Sequence, residues 1–216
     1  MADATSWAPV DLAPILSGDH VAEQPEHLRR TDGVALLYPN KQHSAYGEPE
    51  SCKSWLADRA VAAELKAGMH VVVIDFEDDA PTWIERTRSL GVSVERVSAL
   101  LHYVRPEEAV SDAGWAELAP VLERSTLVVI DGTNEGMSLH GLNPLDNSDI
   151  AMWMRIVPRR CQSYGAAVLN IDHVTRTRKA GGATQSAARP SSPRSTSRTR
   201  CGSSSHSHDA ATGWWR

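Results

Sequence analysis

Three apolar runs constrain this chain more than any other feature: His70-Val71-Val72-Val73-Ile74-Asp75-Phe76, Thr126-Leu127-Val128-Val129-Ile130-Asp131 and Ala166-Ala167-Val168-Leu169-Asn170-Ile171. They are rich in β-branched residues and do not alternate between apolar and polar. A strand of that kind must be covered on both faces, which is the condition of a parallel sheet between two helical layers. The intervening segments have helical character. Lys53–Ala67 is stopped by Gly68, Pro81–Leu90 is capped by Asp79 or Ala80-Pro81 and stopped by Gly91, Ser111–Glu123 is amphipathic, and a further helix is expected from about Ser148 to Tyr164. Strands regularly alternating with helices predict an α/β, three-layer architecture with a mostly parallel sheet.

The remaining segments are read more loosely. Val34–Tyr38, Gln42–Tyr46 and Leu100–Val104 are expected as shorter strands, and Gly132–Asn147, rich in Gly and Asn, as a loop. Residues 1–32 are Pro-rich and polar, which predicts an N-terminal arm with a short helix near Asp11–Leu16. The core is expected over residues 33–176. Trp83 and the Met152-Trp153-Met154 stretch are read as packing residues, and Cys161 as a small buried apolar group.

A 216-residue chain with 41% hydrophobic and 23% charged residues is long enough for one domain with a real core. No apolar run approaches a membrane span, and no basic segment followed by an apolar one marks a signal peptide at the N-terminus. Cys52, Cys161 and Cys201 are odd in number and far apart, which points to a reducing compartment; a cytoplasmic location with no membrane partner is the expectation.

Chemistry concentrates at Gly47-Glu48-Pro49-Glu50-Ser51-Cys52-Lys53-Ser54, followed by Trp55. The stretch fits G-x-x-x-x-G-K-[ST] except that Cys52 stands at the second glycine. A short strand precedes it and a helix follows. In that context consecutive backbone N–H groups and a helix N-terminus form a socket for a polyphosphate. Lys53 would reach the β- and γ-phosphates and the Ser54 hydroxyl would ligate Mg²⁺. Glycine at position 52 would permit φ > 0 and close approach; a Cβ there costs roughly 1–2 kcal/mol if the residue is left-handed. A cysteine phosphatase loop is excluded by spacing: that chemistry needs five residues between Cys and Arg, and six lie between Cys52 and Arg59.

Ligands of such sheets bind at the carboxyl ends of the strands. Asp131 closes one strand and is suited to Mg²⁺ or its water. Glu77 follows another, where a base would orient an attacking water, and His173 follows a third, within reach of a γ-phosphate. Asn134 and Glu135, after Asp131, read more simply as loop polar groups. With Lys53 and Ser54 these residues form a set of parts for phosphoryl transfer to water.

The order of these elements resembles the RecA-like branch of P-loop ATPases, and more narrowly the AAA-family, RecA/RepA-like ATPases of bacterial and phage mobile elements. The resemblance is carried by Asp32-Gly33-Val34, Leu37-Tyr38-Pro39, Tyr46-Gly47-Glu48-Pro49, Lys53-Ser54-Trp55, Ile74-Asp75-Phe76-Glu77-Asp78, Val129-Ile130-Asp131-Gly132 and Ile171-Asp172-His173-Val174, over residues 30–176. It implies a RecA-like P-loop NTPase core, ATP and Mg²⁺ as ligands, Glu77, Lys53 and His173 as catalytic residues, and Ser54 and Asp131 as Mg²⁺ ligands. The phosphate loop would span Gly47, Glu48, Pro49, Glu50, Ser51, Cys52, Lys53, Ser54 and Trp55. DNA, and a ring or filament of copies, are the partners it implies. The alternatives are a degenerate nucleotide-binding or scaffold protein without turnover, and a small-molecule kinase, for which no second-substrate lid is evident.

The composition changes abruptly near residue 180. Eight of the 22 Lys and Arg but only one of the 27 Asp and Glu lie from Arg176 onward, leaving an acidic body. Residues 177–216 have no hydrophobic period and read as a disordered tail. RecA-like folds continue with further strands here. A one-base frame change near Lys179–Gly182 would restore an alternating, strand-like string, so the expectation is an out-of-frame tail and missing C-terminal strands.

Overall fold

A computed structural model of the chain describes residues 9–48 and 50–173. Helix α1 (Ala13–Leu16) lies in the N-terminal segment, and is followed by strands β1 (His27–Arg29), β2 (Ala35–Leu37) and β3 (Gln42–Gly47). Helix α2 (Lys53–Ala67) leads to β4 (His70–Asp75), α3 (Ala80–Ser89), α4 (Val94–Leu100) and β5 (Leu101–Val104). The chain continues through α5 (Asp112–Leu122), β6 (Ser125–Asp131), α6 (Thr133–Leu139), α7 (Asn147–Ile156), α8 (Pro158–Gln162) and β7 (Ala167–His173).

Five strands form one sheet in the order β3-β7-β6-β4-β5, and every pairing in it is parallel. The non-alternating runs are explained by the two cores that sandwich it. Val71, Val73, Leu127, Val129, Leu169 and Ile171 face α2, with Ala57, Ala60, Val61 and Leu65, and Trp83 of α3. Their neighbours Val72, Ile74, Val128, Ile130 and Val168 face the other way, onto Trp115 and Leu122 of α5, Met137, Trp153 and Cys161. Period-2 geometry sends successive side chains to opposite faces, so a strand covered on both sides must be apolar throughout. This is the α/β, three-layer arrangement of a RecA-like P-loop NTPase core. Trp83 and Trp153 are fully buried, in keeping with their reading as packing residues. Burial pushes the Cys161 thiol up to about 12.

Several local expectations give way to packing. His27–Arg29, inside the expected arm, is a strand, paired antiparallel with β2; Val34–Tyr38 therefore contributes Ala35–Leu37 to a separate two-stranded sheet and not to the main one. The hairpin is latched to the core. His27 Nδ1 lies 2.9 Å from Glu64 Oε1 on α2, and Thr126 Oγ1 donates to Glu64 Oε2 at 2.6 Å. Burial pushes the Glu64 carboxyl up, but its hydrogen bonds with His27 and Thr126 outweigh that and hold it below its usual value. The expected loop after Asp131 contains α6, and the expected helix of residues 148–164 is divided at Pro158, which begins α8 because proline suits a first helical turn. Val94–Leu100 adds a helix that was not expected, capped by Ser93, whose Oγ accepts from Arg96 N. Asp79, one of the expected caps of α3, accepts from Thr82 N, and Ser111 caps α5 by accepting from Gly114 N.

Helix α6 packs so closely that Gly136 has no room for a side chain. A Cβ there would stand 2.7 Å from the Trp153 ring and 2.9 Å from that of Phe76. Gly136→Ala is expected to lower stability by about 1–3 kcal/mol, seen as a lower urea midpoint at an unchanged m-value.

The expected out-of-frame tail over 177–216, the missing C-terminal strands, Cys201, and Val174–Arg176 at the end of the expected core all lie outside the described residues, as does Pro49.

Candidate functional site

The parallel order brings the carboxyl ends of β3, β7, β6 and β4 side by side. Gly47 pairs in register with His173, and Asp131 with Asp75. The three separate strand ends expected to carry chemistry are thus adjacent along one edge of the sheet. His173 is placed at the end of β7 opposite Gly47.

The phosphate-loop stretch leaves β3 at Gly47 and enters α2 at Lys53. It turns tightly: Ser51 N donates to Glu48 O at 3.3 Å, and a Cβ on Gly47 would stand 2.9 Å from Ser51 Oγ. Two non-glycine residues in it are left-handed, Glu50 with φ 62° and Cys52 with φ 64°. Cys52 is the residue immediately before the helix, with no side-chain cap, and its thiol is exposed. The position therefore has the conformation that glycine favours. Cys52→Gly is expected to stabilise the fold by about 1 kcal/mol by removing the left-handed Cβ penalty, measured by urea denaturation.

Lys53 is buried and folds back over the loop. Its Nζ donates to Gly47 O and Glu48 O, both at 2.9 Å, and to Ser51 Oγ at 3.4 Å. The ammonium is thus held at the mouth of α2, where the first N–H groups of a helix have no intrahelical acceptor and the macrodipole favours an anion. Ser54 follows half-buried and Trp55 is exposed.

Across the edge, carboxylates collect. Asp131 is 3% exposed, and its Oδ1 has no hydrogen-bond partner among the described residues. Burial, with the charges of Asp75 and Glu77 beside it, pushes its carboxyl up to about 7. Asp75 is fully buried but well satisfied: its Oδ1 accepts from Glu77 N and Asp78 N, both at 2.9 Å, and Tyr103 Oη donates to its Oδ2 at 2.8 Å. That hydrogen bond follows burial in raising the Tyr103 hydroxyl's pKa. Phe76 N donates to Asp131 O at 3.0 Å, continuing the ladder one residue past β4. Glu77 then emerges, exposed, over Gly132. A Cβ on Gly132, whose φ is 78°, would lie 3.1 Å from Glu77 Cβ and 3.2 Å from Phe76 Cβ. The structure therefore brings Glu77 and Asp131 together at the ends of neighbouring strands.

A buried, orphaned carboxylate oxygen and a serine hydroxyl are hard oxygen donors, the set that Mg²⁺ prefers. Among the described residues no group of three or more His, Cys, Asp or Glu is placed to hold a metal by itself.

Sequence reasoning picked out Asp131 and Glu77 but passed over Asp75, Tyr103, Arg86 and Asp58. The signal for Asp75 was present: an Asp ending a strand two residues before a turn readily accepts from the following N–H groups. The others are brought to the site by tertiary packing.

A parallel α/β sheet with this loop between its edge strand and the first long helix defines a P-loop nucleotide-binding fold. A family model described as an AAA domain matches residues 16–179, and the chain belongs to that family of P-loop ATPase-type domains. No curated protein matches the chain. Among the described residues no helix is long and apolar enough to cross a membrane.

Proposed function

We propose that this chain is a RecA/RepA-like ATPase that couples Mg²⁺-dependent ATP hydrolysis to work on DNA in replication or recombination. The observation that carries the reading is the meeting, along one sheet edge, of a lysine-closed loop at a helix N-terminus with the orphaned carboxylate of Asp131 and the exposed carboxylate of Glu77. Lys53 would exchange its bonds to Gly47 O and Glu48 O for phosphate oxygens. Ser54 and Asp131 would hold Mg²⁺, which supplies charge neutralisation of the phosphates when bound. Bound metal would also relieve Asp131, whose burial otherwise favours its proton. Glu77, held beside Gly132 and open to solvent, would orient the attacking water and accept its proton. His173 would contact the γ-phosphate from the strand end opposite Gly47. The loop Gly47–Trp55, with Glu48, Pro49, Glu50 and Ser51, would enclose the phosphates. The cytoplasm is the compartment that this role and the cysteine usage favour. A ring or filament of copies is the assembly that the resemblance implies.

One observation favours a second reading, a nucleotide binder with little turnover. Cys52 occupies a left-handed position at the mouth of the socket, where a Cβ strains the loop and would crowd a phosphate approaching the backbone. ATP turnover by the natural chain and by Cys52→Gly, each with and without single-stranded DNA, separates the two. A gain in turnover on Cys52→Gly and stimulation by DNA support the motor. Binding without turnover in both chains supports the binder, and turnover indifferent to DNA removes the DNA role.

A further inference from the structure

The residues that hold Glu77 in place are as specific as Glu77 itself. Glu77 sits between two carboxylates, and each is anchored to a different element. On its N-terminal side, Asp75 accepts from the backbone N–H groups of Glu77 and Asp78 and is fixed by Tyr103 of β5. On its C-terminal side, Asp78 Oδ2 is paired with Nη2 of Arg86 on α3. The same guanidinium reaches back: Arg86 Nε lies 3.4 Å from Asp58 Oδ2. Asp58 is on α2, one helical turn beyond Ser54, so it belongs to the helix that the phosphate loop enters.

Nothing else among the described residues accounts for Asp58. It is fully buried, and neither of its oxygens accepts a hydrogen bond there. An isolated buried carboxylate is costly, and burial pushes this one up to about 6 while Arg86 works in the opposite direction. Arg86 is itself largely covered, with 16% of its side chain exposed, and packs over the buried Trp83 ring at 5.5 Å from the centroid. A planar guanidinium can address two carboxylates at once from such a shelf, which an ammonium cannot do with the same geometry.

We propose that Arg86 is a positioning residue that ties the loop carrying Glu77 to the helix carrying Lys53 and Ser54, through Asp78 on one side and Asp58 on the other. The role rests on the assignment of Glu77 as the water-orienting base. It makes the two halves of the site, phosphate socket and base, parts of one rigid unit. It also gives the buried acid on the core face of α2 a partner.

Amide hydrogen exchange on the full-length chain tests this without requiring turnover. In Arg86→Met the amides of Glu77 and Asp78 are expected to exchange at least about tenfold faster, while those of Val72–Ile74 and Val128–Ile130 keep their protection. Arg86→Lys, which can keep one of the two contacts, is expected to fall between. Unchanged exchange at Glu77 and Asp78 overturns the proposal, because Asp75 alone would then suffice to hold the loop. Loss of protection throughout the sheet also overturns it, since Arg86 would then serve the fold as a whole. Mg²⁺-ATP affinity is the second readout. It is expected to change less than about threefold in Arg86→Met, in contrast to Lys53→Ala. Equal loss in both variants would make Arg86 a phosphate ligand and overturn the positioning role. If no version binds Mg²⁺-ATP, the nucleotide reading fails while the exchange result still decides the role of Arg86.

Discussion

Glu77→Gln is expected to reduce ATP turnover by about 10²-fold or more while leaving Mg²⁺-ATP affinity within a few fold, in the natural chain and in Cys52→Gly alike. A positioned general base contributes about 10²–10⁴-fold, and an amide of the same shape cannot accept the proton. Glu77 is exposed at the edge of the sheet, and its backbone N–H is held by Asp75. The substitution therefore changes chemistry with little change in fold. Steady-state kinetics with a separate binding titration check it. Loss of affinity in step with turnover would place Glu77 on the nucleotide and not on the water.

Asp131→Asn is expected to have two effects of opposite sign. It removes the carboxylate proposed to hold Mg²⁺, so the dependence of nucleotide affinity on Mg²⁺ is expected to disappear. It also removes a buried charge. The Asp131 carboxyl is raised from 3.8 to about 7 in the folded chain, chiefly by burial and then by Asp75 and Glu77. A group raised on folding holds its proton more tightly in the native state. The stability this contributes is complete below the unfolded pKa and is lost as pH climbs toward and through 7. At about 1.4 kcal/mol per pKa unit, a rise from 3.8 to about 7 makes the asparagine chain more stable than the natural one at pH 8 by roughly 4 kcal/mol. The gap is expected to close toward pH 4. Urea denaturation of both chains, without Mg²⁺ or nucleotide, at pH 5 and pH 8 measures this. Parallel pH profiles would show that Asp131 is not the group that loads the apo site.

How much of this was legible in the sequence depended on what each residue's role required. Val71–Ile74 and Leu127–Ile130 announced a sheet covered on both faces because burial on two sides leaves no room for alternation. Lys53–Ala67 carried its own start and stop, with a loop before it and Gly68 after it at φ 83°. Cys52 was legible as a strained position because the pattern demands a left-handed residue there, and its φ is 64°. The β1 strand was not legible. Three residues, His27-Leu28-Arg29, carry no periodicity, and the strand exists through its pairing with β2 and the buried contact of His27 with Glu64. Helix α6 was hidden by Gly132, Asn134 and Gly136, residues that suggest a loop. Yet Gly132 serves the close approach of Glu77, and Gly136 serves the packing of Trp153 and Phe76. Arg86 and Asp58 lie 28 positions apart and were invisible as a pair for the same reason: only the packing of α3 on α2 joins them.

We read Gly47–Ser54 as a nucleotide phosphate socket, strained at Cys52 and closed by Lys53. Equilibrium binding of Mg²⁺-ATP to the natural chain, Cys52→Gly and Cys52→Gly/Lys53→Ala, followed by calorimetry, tests it most directly. Saturable one-site binding that tightens in Cys52→Gly and is lost in the double variant is expected; binding that is unchanged by Lys53→Ala, or absent from Cys52→Gly, would overturn the socket.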